Sequence, residues 1–104
     1  MSKYIIEITQ KAENDLTEIG RYISKELLEP MIAKRLIDRI SNEILTLEEM
    51  PFRHALVLDR RLSQQGIRKM IIENYTVFYI VDEEKRVVTI VRILYSRREW
   101  ETLL

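Results

Sequence analysis

An α+β fold is predicted by three observations. The apolar pattern runs strand, helix, helix, strand, strand, strand; Pro30 and Pro51 close off the helical stretches; and from Gly66 to Tyr95 short β-rich runs alternate with polar turns. The expected architecture is one strand, a helical hairpin, a three-stranded antiparallel meander and a short C-terminal helix, all in one domain over residues 1–104.

Lys3 to Ile8 has apolar residues on both sides of an extended run, which predicts a strand inside the sheet, covered on two faces. Thr9 is placed to cap a first helix from Gln10 to Leu28, whose Ala12, Leu16, Ile19, Ile23 and Leu27 recur at helical spacing. Leu28-Glu29-Pro30 reads as a break. A second helix carries Ala33, Leu36, Ile37, Ile40, Ile44 and Leu47 on one stripe until Pro51 stops it. The two helices are expected to pack against each other and cover one face of the sheet, leaving the other face free.

Phe52 to Gln65 is irregular and basic, with Arg53, His54, Arg60 and Arg61 against Asp59 alone. Strands are predicted at Ile67–Ile72, Tyr75–Val81 and Val87–Tyr95, divided by Glu73-Asn74 and by the charged run from Asp82 to Arg86. Ser96 and Glu99 have capping-box spacing, so the last helix is expected to begin there and press Trp100 and Leu103 onto the domain.

The chain has no cysteine and one histidine, which excludes disulfide frameworks, thiolate metal sites and histidine clusters. No apolar run reaches the ~20 residues of a membrane helix, and Met1 to Glu7 lacks a signal-peptide core, so a soluble, cytoplasmic protein is expected, with no membrane partner. Net charge is zero, but unevenly placed: residues 1–52 carry seven Lys or Arg against ten Asp or Glu, and residues 53–104 carry ten against seven. The C-terminal half is therefore the basic half.

That asymmetry directs attention to the end of the meander, where the apolar strand runs into Ser96-Arg97-Arg98-Glu99-Trp100. Two arginines at an expected helix start, where free N–H groups already favour anions, suggest a negatively charged partner. Arg68 and Lys69 on the first meander strand and Arg92 and Tyr95 on the last are expected to gather with them, although strand alternation separates Arg92 from Tyr95 and favours Tyr95. Solvated side chains at Arg97 and Arg98, packing roles for Tyr75 and Tyr79, and an ion pair from Arg68 to Asp82 or Glu83 stand as the structural alternatives. The acidic clusters lack metal-ligand spacing, and neither a metal nor another cofactor is expected.

The whole chain resembles the RelE/ParE superfamily of bacterial type II toxin-antitoxin toxins. The marks are Ala12 with Asp15-Leu16 and Tyr22-Ile23, Gly66-Ile67-Arg68, Asn74-Tyr75 with Phe78-Tyr79, and the closing Ile93-Leu94-Tyr95-Ser96-Arg97-Arg98-Glu99-Trp100. The resemblance implies a toxin restrained by a cognate acidic antitoxin encoded beside it. RelE-like members cleave mRNA on the ribosome, and ParE-like members poison DNA gyrase without nuclease activity. The leading expectation is metal-independent, ribosome-dependent mRNA cleavage with Arg68, Tyr95 and Arg98 as the catalytic set and Lys69, Arg92, Arg97 and Arg61 as phosphate ligands; the alternative is gyrase poisoning. Tyr22 and Met31 are the expected antitoxin contacts. Where many members carry an arginine after the tyrosine opening the middle strand, this chain has Thr76.

Overall fold

The computed structural model describes residues 3–98 and 100–104. In chain order the elements are β1 (Ile5–Ile8), α1 (Gln10–Arg21) continuing into a wider π turn (Tyr22–Glu26), α2 (Pro30–Leu45) with a 3-10 turn (Thr46–Glu48), α3 (Arg60–Gln64), β2 (Arg68–Ile72), β3 (Tyr75–Asp82), β4 (Val87–Tyr95) and a last 3-10 turn (Trp100–Thr102). The sheet order is β1-β4-β3-β2, with β1 parallel to β4 and the meander antiparallel.

Thr9 starts α1 as expected, its hydroxyl accepting from the Ala12 N–H at 3.1 Å. The helix does not continue uniformly to Leu28. The Leu27 N–H reaches back five residues to the Tyr22 carbonyl at 3.1 Å, which makes the turn a π-type one. Leu28 then takes a left-handed φ of 56°, ending the helix before Pro30 opens α2.

Helices α1 and α2 cover one face of the sheet, where Ile40, Leu47, Met70, Val77, Tyr79 and Ile90 are buried. Each such side chain contributes about 1.5–3 kcal/mol by leaving water. The opposite face, expected to be free, is covered as well. Val57, Leu62, Ile67, Phe78 and Leu94 form a second cluster under α3 and the C-terminal residues Trp100 and Leu103. The cover comes from within the supposedly irregular stretch: Asp59 caps α3 by accepting from the Leu62 N–H at 3.0 Å, and Gly66, at φ 84°, turns the chain into β2.

Two further expectations are corrected. β1 lies at the sheet edge and not inside it, with Ile5 and Ile8 exposed, because only β4 pairs with it. Its apolar residues resemble those of a doubly covered strand, but only Ile6 packs on the core. The final helix does not begin at Ser96. Ser96 and Arg97 form a turn, the Ser96 and Thr76 hydroxyls share a hydrogen bond of 2.8 Å, and the helical turn has three residues from Trp100. The expected Glu99 cap lies outside the described residues. Trp100 does press onto the sheet, 5.0 Å from the Phe78 ring.

The β2–β3 turn is fastened to α2 by Glu73, which accepts from Arg39 at 2.8 Å and Arg35 at 3.0 Å. Hydrogen bonds from Arg35 and then Arg39 hold its carboxyl below the usual range. A depressed carboxylate pKa contributes stability that is present above the unfolded value and is lost as pH falls through the folded one. Thermal melts from pH ~6 to ~3 should therefore show Tm of the wild type falling further than that of Glu73→Gln; parallel curves would exclude the contribution.

Candidate functional site

A groove of about 980 Å³ opens between the helices and one end of the sheet. The end of α1 and the π turn supply Ile19, Tyr22 and Ile23, the start of α2 supplies Ile32 and Leu36, and β3 and β4 supply Tyr75, Ile93 and Tyr95. These positions follow from the register: Tyr75 opens β3 directly opposite Tyr95, which closes β4. Their rings meet edge to face at 5.7 Å and 71°. Burial, and then the neighbouring Tyr95 and Tyr22 phenols, push the Tyr75 phenol up.

Of the expected site residues, Tyr95, Arg98 and Tyr22 share this groove. Tyr95 is 40% exposed at its mouth, and the Arg98 N–H folds back to the Tyr95 carbonyl at 3.0 Å. Met31 stands exposed on α2 beside the groove residue Ile32, without lining the groove itself.

The remaining cations do not gather there. Arg68 opposes Tyr79, whereas Tyr95 opposes Tyr75, four residues along β3 and thus about 13 Å away at strand rise. Its Nη1 donates to the His54 carbonyl at 2.7 Å, and its guanidinium lies 5.0 Å over the Phe52 ring. The alternative of an ion pair to Asp82 or Glu83 is not what holds it. Lys69 and Arg92 both oppose Phe78, a member of the second cluster, so strand alternation does separate Arg92 from Tyr95. Arg61 is on α3, donating to the Glu101 carbonyl at 3.3 Å, and Arg97 is exposed in the turn after β4. The expected convergence of Arg68 with Tyr95 is therefore corrected by the register, and the expected separation of Arg92 from Tyr95 is what the register gives. The helix-start argument for Arg97 and Arg98 also loses its basis, because no helix begins at Ser96 and the turn at Trp100 is only three residues long.

Arg92 is instead the centre of a structural lock. β4 bulges where Tyr79 opposes Ile90 and Phe78 opposes Arg92, leaving Val91 unopposed. Helix α1 satisfies the groups that the bulge frees. The Thr9 hydroxyl donates to the Val91 carbonyl at 2.9 Å, and Asp15 accepts the Ile93 N–H at 2.9 Å. Asp15 also receives Arg92 Nε and Nη2, each at 2.8 Å, while Arg92 Nη1 donates to the Leu103 carbonyl at 3.1 Å. The bidentate bonds to Asp15 push the guanidinium pKa up. Sequence reading noted Asp15 but not this role, since 77 residues separate it from Arg92. Tyr75, read as packing, also belongs to the groove; its place beside a strand-end tyrosine was the available signal.

Among the described residues no group of three or more His, Cys, Asp or Glu side chains is placed to hold a metal, and no helix is long and apolar enough to cross a membrane.

The fold recurs in solved structures of toxin-antitoxin systems. A chain from the chromosomal ParDE toxin-antitoxin system of P. aeruginosa superposes with a TM-score of 0.72 at 20% identity, covering 88% of this chain and 95% of that one. A chain from the RelBE2 toxin-antitoxin complex of Mycobacterium tuberculosis gives 0.67 at 18% identity, covering 89% and 98%. One from the intact E. coli RelBE toxin-antitoxin complex gives 0.63 at 15%, covering 91% and 99%. No curated protein matches the chain. The profile of the ParE toxin of the type II toxin-antitoxin system parDE matches residues 6–100, nearly the whole sequence, and the chain belongs to that toxin family.

Proposed function

We propose that this toxin acts by binding a protein target, DNA gyrase, and not by cleaving mRNA, and that a cognate antitoxin, acidic overall, restrains it. The observation that carries the proposal is the internal commitment of Arg68 to the His54 carbonyl and of Arg92 to Asp15 and the Leu103 carbonyl. Cleavage through a 2′-hydroxyl needs a proton acceptor, cations for the phosphorane charge and a proton donor within mutual reach. Of the expected set, Tyr95 has only Arg98 beside it in the groove. Thr76, at the position where many superfamily members carry arginine, spends its hydroxyl on Ser96. An apolar groove rimmed by charges, with Tyr22 and Tyr95 half-exposed, suits a protein segment better than a phosphodiester.

Purified protein added to DNA gyrase and supercoiled plasmid is expected to accumulate double-strand breaks trapped by detergent, in proportion to toxin added. Undisturbed gyrase at about 10 μM toxin, roughly ten times the Kd of a micromolar interaction and so about nine-tenths occupancy, would refute the target.

A further inference from the structure

Three tyrosines from separate elements line the groove: Tyr22 from the π turn, Tyr75 from β3 and Tyr95 from β4. Their environment differs from that of Tyr79, which is fully buried with its hydroxyl donating to the Pro51 carbonyl at 2.8 Å. Tyr22 and Tyr95 are 54% and 40% exposed, which leaves ring surface open to an incoming group. Ring faces are electronegative and attract cations.

The charges around them point the same way. The groove wall carries Asp15, Glu18, Glu29 and Glu73 against Arg35 and Arg98. Asp15 is committed to Arg92, and Glu73 to Arg35 and Arg39. Glu18 holds Arg21 in a solvent-exposed pair, the kind that exchanges partners at little cost, so Glu18 and Glu29 give the helix-side rim an acidic character. Among the described residues, Arg68 stands over Phe52 and Arg86 over Tyr4, and neither arginine lines the groove. On the helix side an arriving guanidinium or ammonium meets phenol faces and carboxylates and an arriving carboxylate meets both as repulsive neighbours, while Arg98 stands on the sheet side beside Tyr95.

We propose that Tyr22, Tyr75 and Tyr95 form an aromatic seat for one arginine or lysine side chain of the antitoxin segment that occupies the groove. The apolar row of that segment covers Ile19, Ile32 and Leu36, and the seated cation sets its register. The inference rests on the family assignment, which makes an antitoxin the partner, and is independent of gyrase as the target.

The test uses tetramethylammonium as the cation probe and tert-butanol, a neutral molecule of the same heavy-atom shape, as the control, each titrated at constant ionic strength into the isotopically labelled protein while tyrosine ring resonances are followed. The expected result is saturable shifts of the Tyr22, Tyr75 and Tyr95 rings, with the cation bound about threefold to tenfold more tightly than the alcohol. Tyr22→Leu, at an exposed position, should weaken the cation response about threefold or more, and Tyr22→Phe should retain it. Equal responses to the two probes, shifts confined to other residues, or full retention by Tyr22→Leu would each overturn the seat. Loss of the seat with gyrase poisoning intact would leave the target reading standing; a seated cation with inert gyrase would do the reverse.

Discussion

Asp15→Ala is expected to destabilise the protein by about 3–5 kcal/mol, because it strands the Arg92 guanidinium in a mostly enclosed position and removes the acceptor for the Ile93 N–H. Side-chain exposures of 15% for Arg92 and 12% for Asp15 mean that water cannot fully replace the lost carboxylate. Equilibrium urea unfolding gives the number, as a lower midpoint at an unchanged slope. A companion variant separates burial from the worth of the pair. Arg92→Met combined with Asp15→Leu removes both charges and should recover much of the loss, leaving chiefly the unpaired Ile93 N–H. A single-variant loss below about 1 kcal/mol would mean that the α1–β4 lock contributes no more than a surface pair.

Phe78→Ala should cost a comparable amount, about 3–5 kcal/mol, through lost transfer energy and the cavity left beneath the C-terminal residues. Phe78 is fully buried in the cluster with Leu62, Ile67 and Leu94, and its ring lies 5.0 Å from that of Trp100. Trp100 is the chain's one tryptophan, so its fluorescence reports the same event directly. The expected signature is a red-shifted emission in the folded variant together with the lowered urea midpoint. An unchanged emission maximum would show that the C-terminal turn is held independently of Phe78, through the Arg61 and Arg92 bonds to the Glu101 and Leu103 carbonyls.

The elements with strong local signals were legible before any coordinates. Thr9 before an apolar 3.6-residue stripe, Pro30 and Pro51 at helix boundaries, and Glu73-Asn74 between β-rich runs placed α1, α2 and the meander within a few residues of where they lie. What escaped depends on packing between distant segments. The Val91 bulge is stabilised by Thr9 and Asp15, more than seventy residues earlier, and nothing near Val91 announces it. The edge position of β1 is not legible because an apolar strand reads alike whether it is central or edge. The cover on the second face leaves a weak sequence signal because α3 is only five residues long, although Asp59 at its cap and Gly66 at its end are readable signs.

The site divides along the same line. Chain order puts Tyr95 and Arg98 together, and they line a groove that also takes in Tyr22, which the sequence offered only as an antitoxin contact. The wider cluster of guanidiniums assumed that cations on adjacent strands converge. Register alone decides that, and it sets Arg68 four strand positions from Tyr95. Internal acceptors then explain why those cations exist: they fasten the loop after Pro51 and the β4 bulge.

The central claim is that this toxin works without cutting RNA, and primer extension on mRNA recovered from a translating extract dosed with the purified protein tests it most directly. Transcripts with the same 5′ ends as in the undosed extract are the predicted result. New toxin-dependent ends within the coding sequence, lost on Tyr95→Phe or Arg98→Ala, would contradict it.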